Sequence, residues 1–138
     1  MRIMALDLGT KTIGVAVSDA TCLIARGVET IRRQGTVRDF ARLTELLQAE
    51  EVDTIVLGYP KNMNGTIGER AKASEAFRDL LQEHFPEQKI VLWDERLSTV
   101  AAEKVLISAD LQRKKRRKVI DMMAAVVILQ NYLDHQRR

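Results

Sequence analysis

The chain has 138 residues, 46% hydrophobic and 30% charged, a balance that describes a folded globular domain and excludes a disordered one. Its one cysteine, Cys22, rules out an internal disulfide framework, and no Cys/His cluster has zinc-site spacing. A net charge of +3 permits nucleic-acid binding without requiring it. No basic-then-apolar leader opens the sequence. The longest apolar stretch, residues 119–129, is interrupted by Asp121 and too short to cross a bilayer. The expectation is one domain over residues 1–138, cytoplasmic and without a membrane partner.

The first run, Ile3-Met4-Ala5-Leu6-Asp7-Leu8-Gly9, is apolar, short and ended by glycine, and predicts a buried strand. Asp7 is out of place in it. An unpartnered carboxylate there would cost several kcal/mol, and a metal ion or a phosphate-bound cation would remove that cost. The alternative is an Asp that closes the strand by accepting turn hydrogen bonds. Gly9-Thr10-Lys11-Thr12 turns the chain into a second apolar run, residues 13–19, and a third run, residues 23–31, continues the meander. From Thr36 the period changes: Val37, Phe40, Ala41, Leu43, Leu46 and Leu47 fall at amphipathic-helix spacing. Residues 53–58 read as a buried strand followed by a polar, turn-rich loop holding Lys61, Asn62, Asn64 and Gly65. A helix over residues 69–84, stopped before Pro86, leads to a fifth strand at 89–93.

That strand runs into Asp94-Glu95-Arg96, after which Ser98 or Thr99 caps a helix carrying Ala101, Ala102, Val105 and Leu106. A last helix is expected over about residues 118–135. Three meandering strands, then helix-strand-helix-strand, fit a mixed five-stranded α/β sheet with helices on both faces.

Asp121 is the second anomaly, because residues 119–129 are apolar all the way round. It is either a first-turn acid that complements the helix dipole or a ligand facing a site. The small pair Ala124-Ala125 would let the helix approach the sheet and bring Asp121 toward the end of the first strand. Asp94 and Glu95 form the third element, at a strand end where ligands bind in open α/β sheets. Alternation sends the two to opposite faces, and Glu95 shares parity with Val91 and Trp93. Either acid could pair with Arg96, and the alternative is a solvated turn. Three acids converging from separate elements make a hard-oxygen site for Mg²⁺ or Mn²⁺. Two such ions can activate water and stabilise the leaving oxygen in phosphodiester cleavage. His84 and His135 read as surface residues.

These motifs, Asp7-Leu8-Gly9-Thr10-Lys11 with Ile13-Gly14-Val15-Ala16, Gly58-Tyr59-Pro60-Lys61-Asn62-Met63-Asn64-Gly65, Asp94-Glu95-Arg96-Leu97-Ser98-Thr99 and Asp121-Met122-Met123-Ala124-Ala125, resemble the YqgF/RuvX family across the whole chain. The resemblance implies an RNase H-like fold, related to RuvC resolvases, with the second strand antiparallel. It carries Asp7, Glu95 and Asp121 over as catalytic acids. It also implies one of two roles, maturation of the 5′ end of pre-16S rRNA or Holliday junction resolution, and fold analogy does not choose between them. RuvC-type resolvases place an acid at the end of the fourth strand, where this chain has Gly58-Tyr59-Pro60, so Glu95 must substitute. Two rival classes are a non-catalytic nucleic-acid-binding module and an actin-like ATPase fragment, which shares the Asp-Leu-Gly-Thr opening. That fold needs two domains and a later Asp-x-Gly motif, which is absent here.

Arg113-Lys114-Lys115-Arg116-Arg117-Lys118 is the densest charge in the chain. It is either a solvated surface or a phosphate-binding rim beside the acids. Cations near a helix N-terminus are unfavourable by roughly 0.3–1 kcal/mol each, which favours the second reading. Lys11, Asn62, Asn64 and Arg96 are further candidates for backbone contact, though Asn62 and Asn64 also suit a plain tight turn. With aromatics at 4%, recognition by shape and backbone is expected, of structured RNA or branched DNA. A homodimer is left open.

Overall fold

The computed structural model describes residues 2–95 and 113–136, and in the second stretch the side chains of 120 and 122–136. Strands β1 (Arg2–Leu8), β2 (Thr12–Ser18), β3 (Ala25–Arg32), β4 (Val52–Tyr59) and β5 (Lys89–Asp94) form one sheet in the order β3-β2-β1-β4-β5. β2 is antiparallel to β1 and β3, whereas β4 is parallel to β1 and β5 to β4. Among the described residues the helices are α1 (Thr36–Ala49), α2 (Glu69–His84) and α3 (Arg113–Gln136). This is the mixed five-stranded sheet that the residue pattern predicts, with the antiparallel second strand that the family resemblance implies.

Side-chain alternation divides the core into two layers. Met4, Leu6, Ile13, Val15 and Leu57 point to one side and pack with Phe40, Leu43 and Leu81 from α1 and α2. Ala5, Ala16 and Val56 point to the other and meet Ala124, Ala125 and Ile128 of α3. Because both faces are covered, β1 and β4 read as nearly continuous apolar runs. Small residues on both partners bring α3 close to the sheet. Close approach is sharpest at Gly27 of β3, where a Cβ would stand 2.6 Å from Cγ of Met122.

Three details depart from the sequence pattern. Val37 is 85% exposed and Ala41 is also exposed, so the buried stripe of α1 is Phe40, Leu43, Leu46 and Leu47. The first turn of α1 is secured by Asp39, whose Oδ1 accepts the Gln34 N–H at 2.9 Å, since its N-cap is Gly35. Third, α3 starts at Arg113, so the basic run is helical. Arg and Lys are good helix formers, and their propensity outweighs the dipole cost at that end. The helix expected after Ser98 or Thr99, and Arg96, lie outside the described residues.

Candidate active site

β1 is the central strand, so Asp7 has a neighbour on either side. Its partner on β2 is Gly14. On β4, Leu6 is level with Leu57, which puts Gly58 one residue on, beside Asp7. Asp7 shares strand parity with Ala5, so its carboxylate leaves the sheet on the α3 face, and it is only 4% exposed. Glycines on both flanks keep that face free of neighbouring Cβ atoms.

The space over Gly58 is used by another acid. A Cβ built there would stand 3.1 Å from Oε2 of Glu95 and 2.8 Å from Cδ1 of Ile128. The Glu95 carboxylate therefore folds back from the end of β5 across β4, on the α3 face. Neighbouring strands lie about 4.8 Å apart, so this reach brings Glu95 to the strand next to Asp7. The longer arm of Glu spans the position where Gly58 offers no side chain.

Asp94 goes the other way. It pairs with Tyr59 across the β4–β5 ladder. The Tyr59 hydroxyl donates to Oε2 of Glu75 on α2 at 2.8 Å. That bond, with desolvation and the nearby charges of Glu75 and Asp94, raises the Tyr59 pKa. Strand parity agrees, since Val91 and Trp93 pack on the α3 layer while Ile90 and Leu92 pack on the opposite one.

Trp93 also locks α3 to the sheet. Its Nε1 donates to Oδ1 of Asn131 at 2.8 Å, and its ring meets Tyr132 edge-on at 5.2 Å. His135 meets the same indole edge-on at 5.2 Å and is half-buried, where the sequence reading made it a surface residue. His84 is exposed, against Phe40 and Phe85. Asp121 stands in α3 one turn before Ala124 and Ala125, the pair packed with Ala5 and Ala16. The side chains of Asp121 and of Arg113, Lys114, Lys115, Arg116, Arg117 and Lys118 lie outside the described residues. Among the described residues, no group of three or more His, Cys, Asp or Glu side chains could hold a metal. The described donors are the hard carboxylate oxygens of Asp7 and Glu95, which suit Mg²⁺ or Mn²⁺.

The polar loop is organised by its own residues. Asn62 N–H donates to the Thr66 carbonyl at 3.0 Å, Gly65 N–H to the Asn62 carbonyl at 2.8 Å, and Asn64 Oδ1 accepts the Thr66 N–H and hydroxyl. Gly65 takes the positive φ of 86° that this tight turn requires. Asn62 and Asn64 thus hold the turn, and both remain exposed. Lys11 is exposed on the β1–β2 turn.

Two cations that the sequence pattern does not single out lie at the same end of β1. Arg33 Nη1 donates to the Gly9 carbonyl at 2.7 Å and Arg70 Nη2 to the Leu8 carbonyl at 3.3 Å. They are 37 positions apart in the sequence, and only the fold brings them together.

The family described as "RuvX: Holliday junction resolvase" matches residues 1–135. The chain belongs to the RuvX family. A protein of Geobacillus sp. (strain WCH70) named "Putative pre-16S rRNA nuclease" is 57% identical over 139 residues, covering 99% of this chain and 100% of its own. One of Bacillus subtilis (strain 168) with the same name is 56% identical over 136 residues, covering 97% and 98%. Among solved structures, T. thermophilus RuvC in complex with a Holliday junction substrate superposes with a TM-score of 0.65 at 16% identity, covering 99% of this chain and 95% of that one. The fowlpox virus resolvase in its junction complex gives 0.59 at 14%, over 100% of both chains. At these identities the two structures share the fold, which is RuvC-like and RNase H-like.

Proposed function

We propose that this RuvX-family chain is a metal-dependent endonuclease that cleaves phosphodiester bonds in structured RNA, maturing the 5′ end of pre-16S rRNA in the cytoplasm. The observation that carries the reading is the pair of carboxylates, Asp7 and Glu95, on one face at the ends of the parallel strands β1 and β5, with Gly58 of the intervening β4 between them. The names of relatives above 55% identity over nearly the whole chain supply the substrate class. Asp7, Glu95 and Asp121 would hold Mg²⁺ or Mn²⁺, two ions in our reading, and bound ions would activate water and stabilise the leaving oxygen.

The protein's own part is positional. Asp7 sits on a rigid central strand, and Glu95 is held over β4 by the gap at Gly58. α3 closes the layer behind them through Trp93, Asn131 and Tyr132. The basic residues at the start of α3 and Lys11 would bind phosphate backbone and offset the repulsion between acids and substrate.

No helix among the described residues is long and apolar enough to cross a membrane. The second reading, junction resolution, is favoured by the description of the matching family. Matched pre-16S rRNA and four-way-junction substrates with Mn²⁺, using Asp7→Asn as control, separate the two. Cleavage of the rRNA precursor, absent in a folded Asp7→Asn protein, is expected. Preferential cutting of the junction would transfer the assignment to DNA, and an active Asp7→Asn enzyme would remove Asp7 from the chemistry.

A further inference from the structure

Among the described residues, four arginines are committed to carboxylates: Arg2 and Arg26 to Glu50, Arg42 to Glu29 and Glu45, and Arg78 to Asp79. Arg33 and Arg70 form no ion pair with any described residue. Instead both lean on backbone carbonyls of the β1–β2 turn, and with Leu8, Gly9, Thr10 and Ala73 they line a shallow cleft of about 80 Å³. Phe77, beneath the Arg33 guanidinium at 6.0 Å from its ring centre, supports one wall.

This placement has an electrostatic cost. Two like charges converge on one small cleft, and Arg70 lies in the first turn of α2, where the helix dipole disfavours a cation. Each guanidinium carries five N–H donors in a rigid fork, and the carbonyl bond uses one of them. The remaining donors match the oxygens of a phosphate group, and the exposed Thr10 hydroxyl adds another.

The cleft begins where the acid site ends. Leu8 and Gly9 directly follow Asp7, so Gly9 is at most about 7 Å from it along the chain. Alternation turns Asp7 toward α3 and Leu8 toward α1 and α2, which puts the acids and the arginines on opposite sides of one sheet end. Backbone phosphates advance on the order of 3 Å along a nucleic-acid helix axis per nucleotide of one strand. A strand crossing the sheet end with one phosphate at Asp7 would bring another, a few nucleotides away, over the arginines.

We propose that Arg33, Arg70 and Thr10 form a phosphate-binding subsite for the substrate backbone, a few nucleotides from the bond that is cut. The proposal deepens the nuclease reading and rests on it for the identity of the substrate. The subsite fixes the register of the strand and takes no part in the chemical step.

The first test uses the unmodified protein. Inorganic phosphate is titrated at constant ionic strength, with chloride as reference, while the Nε–Hε resonances of the arginines are followed. Those of Arg33 and Arg70 are expected to shift and saturate while that of Arg78 stays still; silence at both would overturn the subsite. The second test measures binding of a fluorescent pre-16S rRNA hairpin without divalent metal, so that nothing is cut. Arg33→Met and Arg70→Met should each weaken affinity on the order of 10-fold and lower the salt slope by roughly 0.7–0.9, the range between single strands and a DNA duplex. In single-turnover cleavage they should weaken substrate saturation and leave the maximal rate unchanged. Wild-type affinity and slope in both folded variants would overturn the subsite, and if either variant fails to fold, Arg→Lys at that position and the phosphate titration decide. A wild-type protein that cuts no RNA, yet shows the phosphate shifts and the binding loss, keeps the subsite and discards the nuclease reading. One that cuts RNA with both arginines silent does the reverse.

Discussion

A methyl group at Gly58 would meet Ile128 Cδ1 and the Glu95 carboxylate at once. Gly58→Ala is therefore expected to destabilise the protein by about 1–3 kcal/mol through overpacking. It should cut cleavage by more than that loss explains, because the added methyl displaces an acid. Thermal melts with single-turnover cleavage check this, and full activity in the variant would show that Glu95 is not needed over β4. The same geometry separates Asp94 from Glu95. Glu95→Gln should lose on the order of 100-fold or more in rate at normal stability, as expected when a metal ligand is removed. Asp94→Asn leaves the α3 face untouched and should still cut. A dead Asp94→Asn enzyme beside an active Glu95→Gln enzyme would reverse the assignment. The parity of these two residues is readable from alternation alone. The reach of Glu95 across Gly58 is legible as a missing acid at the fourth strand that a longer arm can replace. The flanking Gly14 is not, because strand register between β1 and β2 is a property of pairing rather than of either run.

Among the elements, the β2–β3 turn gives the clearest pH signature. Asp19 Oδ2 accepts the Thr21 hydroxyl at 2.7 Å, and Oδ1 accepts the Leu23 and Ile24 N–H groups. The Thr21 bond first, then the backbone donors, lower the Asp19 pKa below its ordinary 3.8. A carboxylate with a depressed folded pKa contributes stability above its unfolded pKa and loses it as pH falls through the folded value. The melting-temperature gap between wild type and Asp19→Ala should thus be widest above pH 4 or so and close in more acid solution. A gap that is constant across that range would leave the carboxylate's charge without a part in the turn. Helix positions are legible to different degrees. α2 has the predicted limits because Pro86 stops it. In α1, Val37 and Ala41 fit the apolar period yet face solvent, since packing against β4 and α2 needs only the stripe through Phe40, Leu43, Leu46 and Leu47. α3 is helical from Arg113, six residues before its apolar stretch begins at Val119, because Arg and Lys are intrinsically good helix formers and a run of them carries no periodic signal.

For the whole molecule, a meander followed by parallel crossovers leaves few topologies, and the order β3-β2-β1-β4-β5 is one in which β1 is central. A central first strand makes Asp7 the hub, flanked by β4 and within one strand of β5. Arg33 and Arg70 could not be found this way, because nothing local marks a cation whose partner is a distant carbonyl. The fold also sets how charge is distributed around the acids. The basic run forms the first turns of α3, and Asp121 follows it in the same helix, so cations and acid are held in fixed sequence along one rigid rod. Six successive helical positions make more than one full turn, so the run offers charge to a backbone approaching from more than one side. Replacing Arg113, Lys114, Lys115, Arg116, Arg117 and Lys118 with Gln keeps helix propensity and removes the charge. Affinity for the rRNA hairpin should fall, with the salt slope dropping by roughly 0.7–0.9 for each phosphate that is no longer neutralised. Metal dependence of the residual cleavage should stay as in the wild type, because the acids are intact. The slope is the deciding quantity: a folding defect lowers the active fraction without changing how binding varies with salt. An unchanged slope and affinity would mean that the run is solvated surface and that the backbone is gripped elsewhere, at Lys11 or in the Arg33–Arg70 cleft.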